Sequence, residues 1–336
     1  MSRWPMTGGS WSSRSDPPPV APMLTIFNIV LPVFLVVGAG YAAAKAGVIA
    51  DATVDALMKF AQTYAIPCLL FLSIYRLDLG VVFDAKLIAS FYIGAGVCFF
   101  LGVLGARKIF GRRPGESISI GFAALFSNSV LLGLAVTESA YGLDALAPNY
   151  LLIALHAPFC FFIGITAMEL SRADGRSKAA TAQIALVAMF KNPITMACGL
   201  GFAFNLSGLP VPEAAADAGD LLARSGLPLA LFGLGGVISR YRMSASLGEA
   251  GFVTIVSTMI HPTITYVLAV HVFAMSDEFT RSAVIMSAMA PGVNAYVFAS
   301  MYDRAVGAVA TTVIISTLIC VATASFWLWM LGGSAL

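Results

Sequence analysis

LPVFLVVGAGYAAAKAG (residues 31–47) lies without a gap over NPITMACGLGFAFNLSG (192–208) when the chain is slid along itself by 161 positions. Pro32/Pro193, Gly38/Gly199, Gly40/Gly201, Ala42/Ala203 and Gly47/Gly208 coincide, and Tyr41 meets Phe202. The same offset carries IPCLLF (66–71) onto LPLALF (227–232), where Pro67/Pro228, Leu70/Leu231 and Phe71/Phe232 are identical. Small residues at helical spacing allow close packing in any membrane bundle, so the glycines alone say little. Two prolines at one offset say more: the chain reads as two repeated halves, with Pro67 and Pro228 as expected helix breaks.

The surroundings of these stretches belong in a bilayer. Of 336 residues, 59% are hydrophobic and only 11% charged, with a mean hydropathy of +0.88, whereas soluble domains carry about 25% charge. A spanning helix needs roughly 20 apolar residues, and ten candidates are centred near Val36, Tyr64, Val97, Asn128, Phe161, Gly199, Leu229, Ile260, Ala290 and Ile315. The connections between them are short and polar, as in KIFGRRPGE (108–116), SRADGRSKAA (171–180) and SRYRMSAS (239–246). They leave no room for an extramembrane domain, so function lies within the membrane. The fold class is an all-α polytopic membrane protein. Five helices per half is an odd number, so the second half (183–336) enters the membrane upside down relative to the first (23–180). Such inverted repeats are the recurring plan of secondary transporters.

Residues 1–22 are rich in Ser, Gly and Pro and lack an apolar core, which marks a disordered tail rather than a signal peptide; translation from Met23 is the other reading. The loops after the odd-numbered helices hold Lys45, Arg107, Lys108, Arg112, Arg113, Arg172, Arg176, Lys178, Lys191, Arg240, Arg242 and Arg304, about twice the basic residues of the other side. Positive loops stay in the cytoplasm, so both termini are expected outside it, in a multi-pass protein of the inner (plasma) membrane. Lys and Arg total 19 against 17 Asp and Glu, which leaves no polybasic face for nucleic acid. Cys68, Cys98, Cys160, Cys198 and Cys320 all fall in apolar runs without ligand spacing and read as small buried hydrophobes. No metal or cofactor is expected.

In the transporter plan the substrate meets interrupted helices near the midplane. The fourth helix, SISIGFAALFSNSVLLGLAVTESA (117–140), has Ser127, Asn128 and Ser129 at its centre. The ninth, FTRSAVIMSAMAPGVNAYVFASMY (279–302), has Pro291, Gly292 and Asn294 there. Proline removes a donor and glycine costs about 1 kcal/mol in a helix, so the ninth helix should break at Pro291. The fourth has neither residue at its centre and announces its break less plainly. Amides freed by a break cannot turn to water in lipid, and Asn and Ser side chains are suited to satisfy them; the plainer role for these polar groups is to hold helices together. No Asp or Glu lies at either centre, so half-helix amino ends would favour an organic anion over a cation.

MLTIFNIVLPVFLVVGAGYAAAKAGVI, FSNSVLLG, KNPITMACGLG, GLPLALFGLGGVI and MAPGVNAYVFASMY, in this order over residues 23 to 330, resemble the auxin efflux carrier family of membrane transporters. The resemblance implies a scaffold of helices 1, 2, 6 and 7 and a transport unit of helices 3, 4, 5, 8, 9 and 10, in which helices 4 and 9 cross. It implies substrates such as malate, malonate or auxin-like acids. Asn128 and Gly133 match the family's N-[ST]-x-x-x-G stretch, and Pro291 and Asn294 match its helix-nine crossing. Ala135 stands where the family often has proline, and His261 precedes Pro262 where many relatives carry lysine.

His156, about one turn into the fifth helix and towards the outer side, and His261 in the eighth are candidates for proton coupling, because an ordinary imidazole titrates near ~6.5. His156 and Tyr64 are also substrate-site candidates, with Gln62 beside Tyr64. Asp55/Lys59 and Asp220/Arg224 sit four apart and are expected to neutralise one another along one helix face. The expected function is therefore a secondary active or facilitative carrier of a small organic anion working by alternating access. The alternatives are a cation-coupled symporter of another solute and, less favoured, an intramembrane enzyme, for which neither a Ser-His pair at depth nor HExxH is present. Partners are the small anion and membrane lipid, with a homodimer open to it and no nucleic acid.

Overall fold

A computed structural model describes residues 23–171, 192–243 and 247–332. The expected tail at 1–22 and most of the 171–180 loop lie outside these. The described residues are almost all helical, with short connections, no named strand and one isolated bridge. In chain order the helices are α1 (Met23–Lys45), α2 (Asp51–Tyr75), α3 (Ala85–Lys108), α4 (Pro114–Leu125), α5 (Ser129–Tyr141), α6 (Ala147–Ser171), α7 (Pro193–Ser207), α8 (Glu213–Ser239), α9 (Leu247–Val272), α10 (Asp277–Ser287), α11 (Val293–Tyr302) and α12 (Val306–Met330). Seven are long and apolar enough to cross a bilayer: α1, α2, α3, α6 with the short turn before it, α8, α9 and α12. The chain is a multi-pass helical membrane protein.

Two of the expected proline breaks are absent. Pro228 sits inside an unbroken α8, and it lines a large cavity where backbone groups released by its ring can meet water. Pro67 lies inside α2, just past a π-helical turn at Ala61–Ala65 in which the Ile66 amide bonds back to Ala61. A π turn widens the helix and makes room for the proline ring, so the helix absorbs the residue instead of stopping. Pro262 in α9 follows a π turn at Val256–Ile260 in the same way.

One matched pair of glycines, Gly40 and Gly201, marks close helix contacts, whereas Gly38 and Gly199 face open space. A Cβ on Gly40 of α1 would collide with the Phe232 carbonyl of α8, and one on Gly201 of α7 would stand 3.0 Å from the Phe71 carbonyl of α2. Gly40 and Gly201 correspond in the repeat, as do Phe71 and Phe232, so the two contacts are reciprocal.

The charge pairs are reciprocal too, and they correct the expectation of pairs along one helix. Asp55 of α2 bonds Arg240 after α8 at 2.7 Å, while Asp220 of α8 bonds Arg76 after α2 at 2.8 and 2.9 Å. Each carboxylate takes its hydrogen bonds from a guanidinium at the end of the neighbouring helix, while Arg224 on the same helix as Asp220 adds a weaker electrostatic attraction. The hydrogen-bonded carboxylate raises each arginine above its ordinary value. A further clamp joins the loop after α3 to α9: Arg112 holds the buried Glu249 with two bonds of 2.6 Å.

Candidate functional site

Both α4 and α10 stop in the middle of the bundle, and their successors α5 and α11 begin there. The stretches between them, Phe126–Asn128 and Ala288–Gly292, run past one another. The Asn128 amide donates to the Ala290 carbonyl at 2.8 Å, the Gly292 amide donates to the Phe126 carbonyl at 3.0 Å, and Ser127 and Pro291 form an antiparallel bridge. The fourth helix therefore breaks without a proline or glycine of its own: the crossing partner supplies the bonds that the helix gives up. This also corrects the role expected of the asparagines. Backbone carbonyls, not side chains, satisfy these amides, and the Asn128 side chain caps nothing. The Ser127 and Ser129 hydroxyls bond each other at 2.7 Å.

A cavity of about 100 Å³ opens at the crossing, walled by Ser127, Asn128, Ser129, Gly292, Asn294, His156, Gln62 and Asn192 together with apolar neighbours. The first turns of α5 and α11 face it with amides that have no partner inside their own helices. No charged side chain lies among its lining residues. Oriented amides and neutral carboxamides can thus surround a negative group without a counter-charge.

His156 is buried, more than two turns into α6, and its Nε2–H donates to the Ser127 carbonyl at 3.1 Å. It sits deeper than the expected place near the outer side, because α6 begins nine residues before it, at Ala147. His261 does not line the cavity; its Nε2–H donates to the Phe91 carbonyl at 3.1 Å, and the Phe91 ring lies 5.6 Å from His156 and 5.1 Å from His261. Tyr64 is also outside the site: it is 56% exposed, packs on Phe60, and leaves the inward face of the π turn to Gln62. Pro291 shapes the backbone of the crossing but is not in the cavity wall.

Asn192, not singled out from the sequence, faces the cavity while its Oδ1 caps α7 through the Ile194 amide at 2.9 Å. The Asn-Pro dipeptide signals that cap, but not what the cap faces. Among the described residues no group of three metal-binding side chains occurs, and the cysteines are unpaired, with Cys68 half-buried and the others buried.

Around the crossing the two ends of the protein differ. On one side a cavity of about 880 Å³ opens between α1, α2, α5, α6 and α8, bordered by Arg76, Asp220, Arg224 and Glu138. On the other, Tyr241 after α8 stacks on Tyr296 of α11 with ring centroids 4.2 Å apart.

A bundle with interrupted, crossing helices around a neutral cavity is the architecture of a carrier. The family described as "Membrane transport protein" matches residues 25–328, and the chain belongs to it, as the resemblance to auxin efflux carriers anticipates. Among known proteins the chain is 24% identical over 315 residues to "Uncharacterized transporter YfdV" of Escherichia coli (strain K12), covering 92% of this chain and 98% of that one. It is 27% identical over 308 residues to "Uncharacterized transporter" of Methanothermobacter thermautotrophicus, covering 89% and 96%. It is 24% identical over 323 residues to "Putative malonate transporter" of Rhizobium meliloti (strain 1021), covering 94% and 98%. The chain is a membrane transporter, and its family and relatives are transporters rather than enzymes.

Proposed function

We propose that the protein carries a small organic anion across the inner membrane by alternating access, with a carboxylate of the substrate held at the crossing of α4–α5 with α10–α11. The observation that carries this reading is the convergence of two helix amino ends and the Asn128 and Asn294 carboxamides on a cavity with no charged lining residue. A carboxylate supplies the acceptor that such a site is short of, and the name of the Rhizobium meliloti relative points to the same class.

The seven long helices, α7 and the two interrupted pairs make ten crossings in this reading. The reciprocal contacts support an inverted repeat: Gly40 with Phe232 against Gly201 with Phe71, Asp55 with Arg240 against Asp220 with Arg76, and the paired bonds about Ser127 and Pro291. Helices α1, α2, α7 and α8 form the scaffold, and the remainder, from α3 to α6 and α9 to α12, forms the moving unit. With both termini outside the cytoplasm, the large cavity faces outward and the Tyr241–Tyr296 stack closes the cytoplasmic side. His156, bonded to the crossing itself, is the residue placed to couple a proton to the anion.

Uptake of labelled malonate, malate and an indole-type acid into proteoliposomes, with and without proton and sodium gradients, tests the reading. Saturable uptake of at least one acid without dependence on sodium is expected. Uptake that requires sodium, or none of any acid, would refute it.

A further inference from the structure

A second cavity, of about 150 Å³, lies between α5 and α10 at their ends away from the crossing, walled by Thr137, Tyr141, Ala145, Glu278, Arg281 and Ser282. Thr137 and Tyr141 follow Asn128 along α5 by roughly 13–20 Å at the helical rise, so this space is separate from the crossing. Its wall holds several buried polar groups without partners among the described residues. Thr137 is 1% exposed and its hydroxyl has no partner among the described residues; the buried Tyr141 hydroxyl and the buried Nε–H of Arg281 have none either.

Arg281 makes no ion pair with any described residue, although Glu278 stands on the same wall one turn earlier, exposed. Its guanidinium carbon sits 5.2 Å from the centre of the Tyr141 ring. That contact lies over the ring face and supplies no acceptor for the unpartnered Nε–H. Hydroxyls can turn to donate, so a guanidinium and two hydroxyls offer donors and one positive charge around a space of a few atoms. A small anion would accept from these donors and pair with the charge at once.

We propose that this cavity binds a small, singly charged anion, a halide or a compact carboxylate, which ties the far end of α5 to the start of α10. The site is independent of the transport reading, since none of its residues lines the crossing cavity.

The test uses the purified full chain in lipid nanodiscs at constant ionic strength. Chloride is titrated against gluconate, with formate in a parallel series, and the thermal unfolding midpoint is read. A ligand that binds the folded state raises the midpoint as its concentration passes the dissociation constant. The midpoint should climb with chloride or formate in the wild type, and Arg281→Gln should abolish the climb. Thr137→Val, which keeps the shape, should shift the response to about tenfold higher concentration, equivalent to one weakened hydrogen bond. Glu278→Gln should shift it to lower concentration by removing a repelling carboxylate from the wall. A midpoint flat in both anions would overturn the proposal. So would a response unchanged in both Thr137→Val and Glu278→Gln, or one lost in Asn128→Ala, which would place the anion at the crossing instead.

Discussion

Replacing Tyr296 by alanine removes one ring of the only described stack that joins the end of α8 to α11, with centroids at 4.2 Å and planes 28° apart. An aromatic pair contributes about 0.5–1.5 kcal/mol beyond its burial. If the stack holds one side of the crossing closed, losing it moves the balance between the two openings by roughly two- to twelvefold, since 1.4 kcal/mol is a factor of ten. Ile194→Cys places a thiol in the wall of the crossing cavity, and an impermeant maleimide added to one side or the other of sealed vesicles reads the balance. Labelling from the side that carries Tyr241 should rise by that factor in Tyr296→Ala and in Tyr241→Ala, and stay unchanged in Tyr241→Phe, which keeps the ring. Labelling unaltered in both alanine variants would refute the closure argument, as would a phenylalanine variant that behaves like alanine.

Arg112→Met leaves the Glu249 carboxylate buried without its two-bond partner, and breaking such a pair costs about 3–5 kcal/mol; the unfolding midpoint in detergent should fall sharply, and a fall no larger than that of Asp55→Asn, an exposed pair, would contradict it. Gly40→Ala forces a methyl into the Phe232 carbonyl, whereas Gly38→Ala meets nothing within 4 Å, so the first should lose folded protein in a fluorescence-detected chromatography assay and the second should not. If protons enter through the imidazoles, the His156→Gln, His261→Gln double variant should lose the wild type's pH dependence of uptake; a profile identical to the wild type would leave a uniporter.

The crossing was half legible in the residues. Pro291 and Gly292 mark one break directly, because a missing donor and a flexible backbone act locally. The break at Phe126–Asn128 depends on hydrogen bonds from a segment far along the chain, and no local pattern reports those. Proline misleads where the structure makes room for it: the π turn before Pro67 and the cavity beside Pro228 keep their helices whole. The partner of Asp55 was misread for a related reason, since four-residue spacing reports only neighbours on the same helix, and Arg240 comes from another. The repeat offset was legible in part because Gly40 and Gly201 sit at reciprocal close helix contacts, where a small residue is needed. Which side of a helix meets the cavity was not, as the exchange of Tyr64 for Gln62 and the unnoticed Asn192 illustrate.

The central claim, that the two asparagines hold a substrate carboxylate and do not hold the fold, is tested by measuring malonate affinity and unfolding midpoint together on purified Asn128→Ala and Asn294→Ala. A hydrogen bond to a charged group contributes about 1.5–3 kcal/mol, so each variant should bind malonate on the order of 10- to 100-fold more weakly. The unfolding midpoint without ligand should stay at the wild-type value, since the Asn128 side chain caps no backbone amide. Wild-type affinity in both variants, or a collapse of the ligand-free midpoint, would contradict the account.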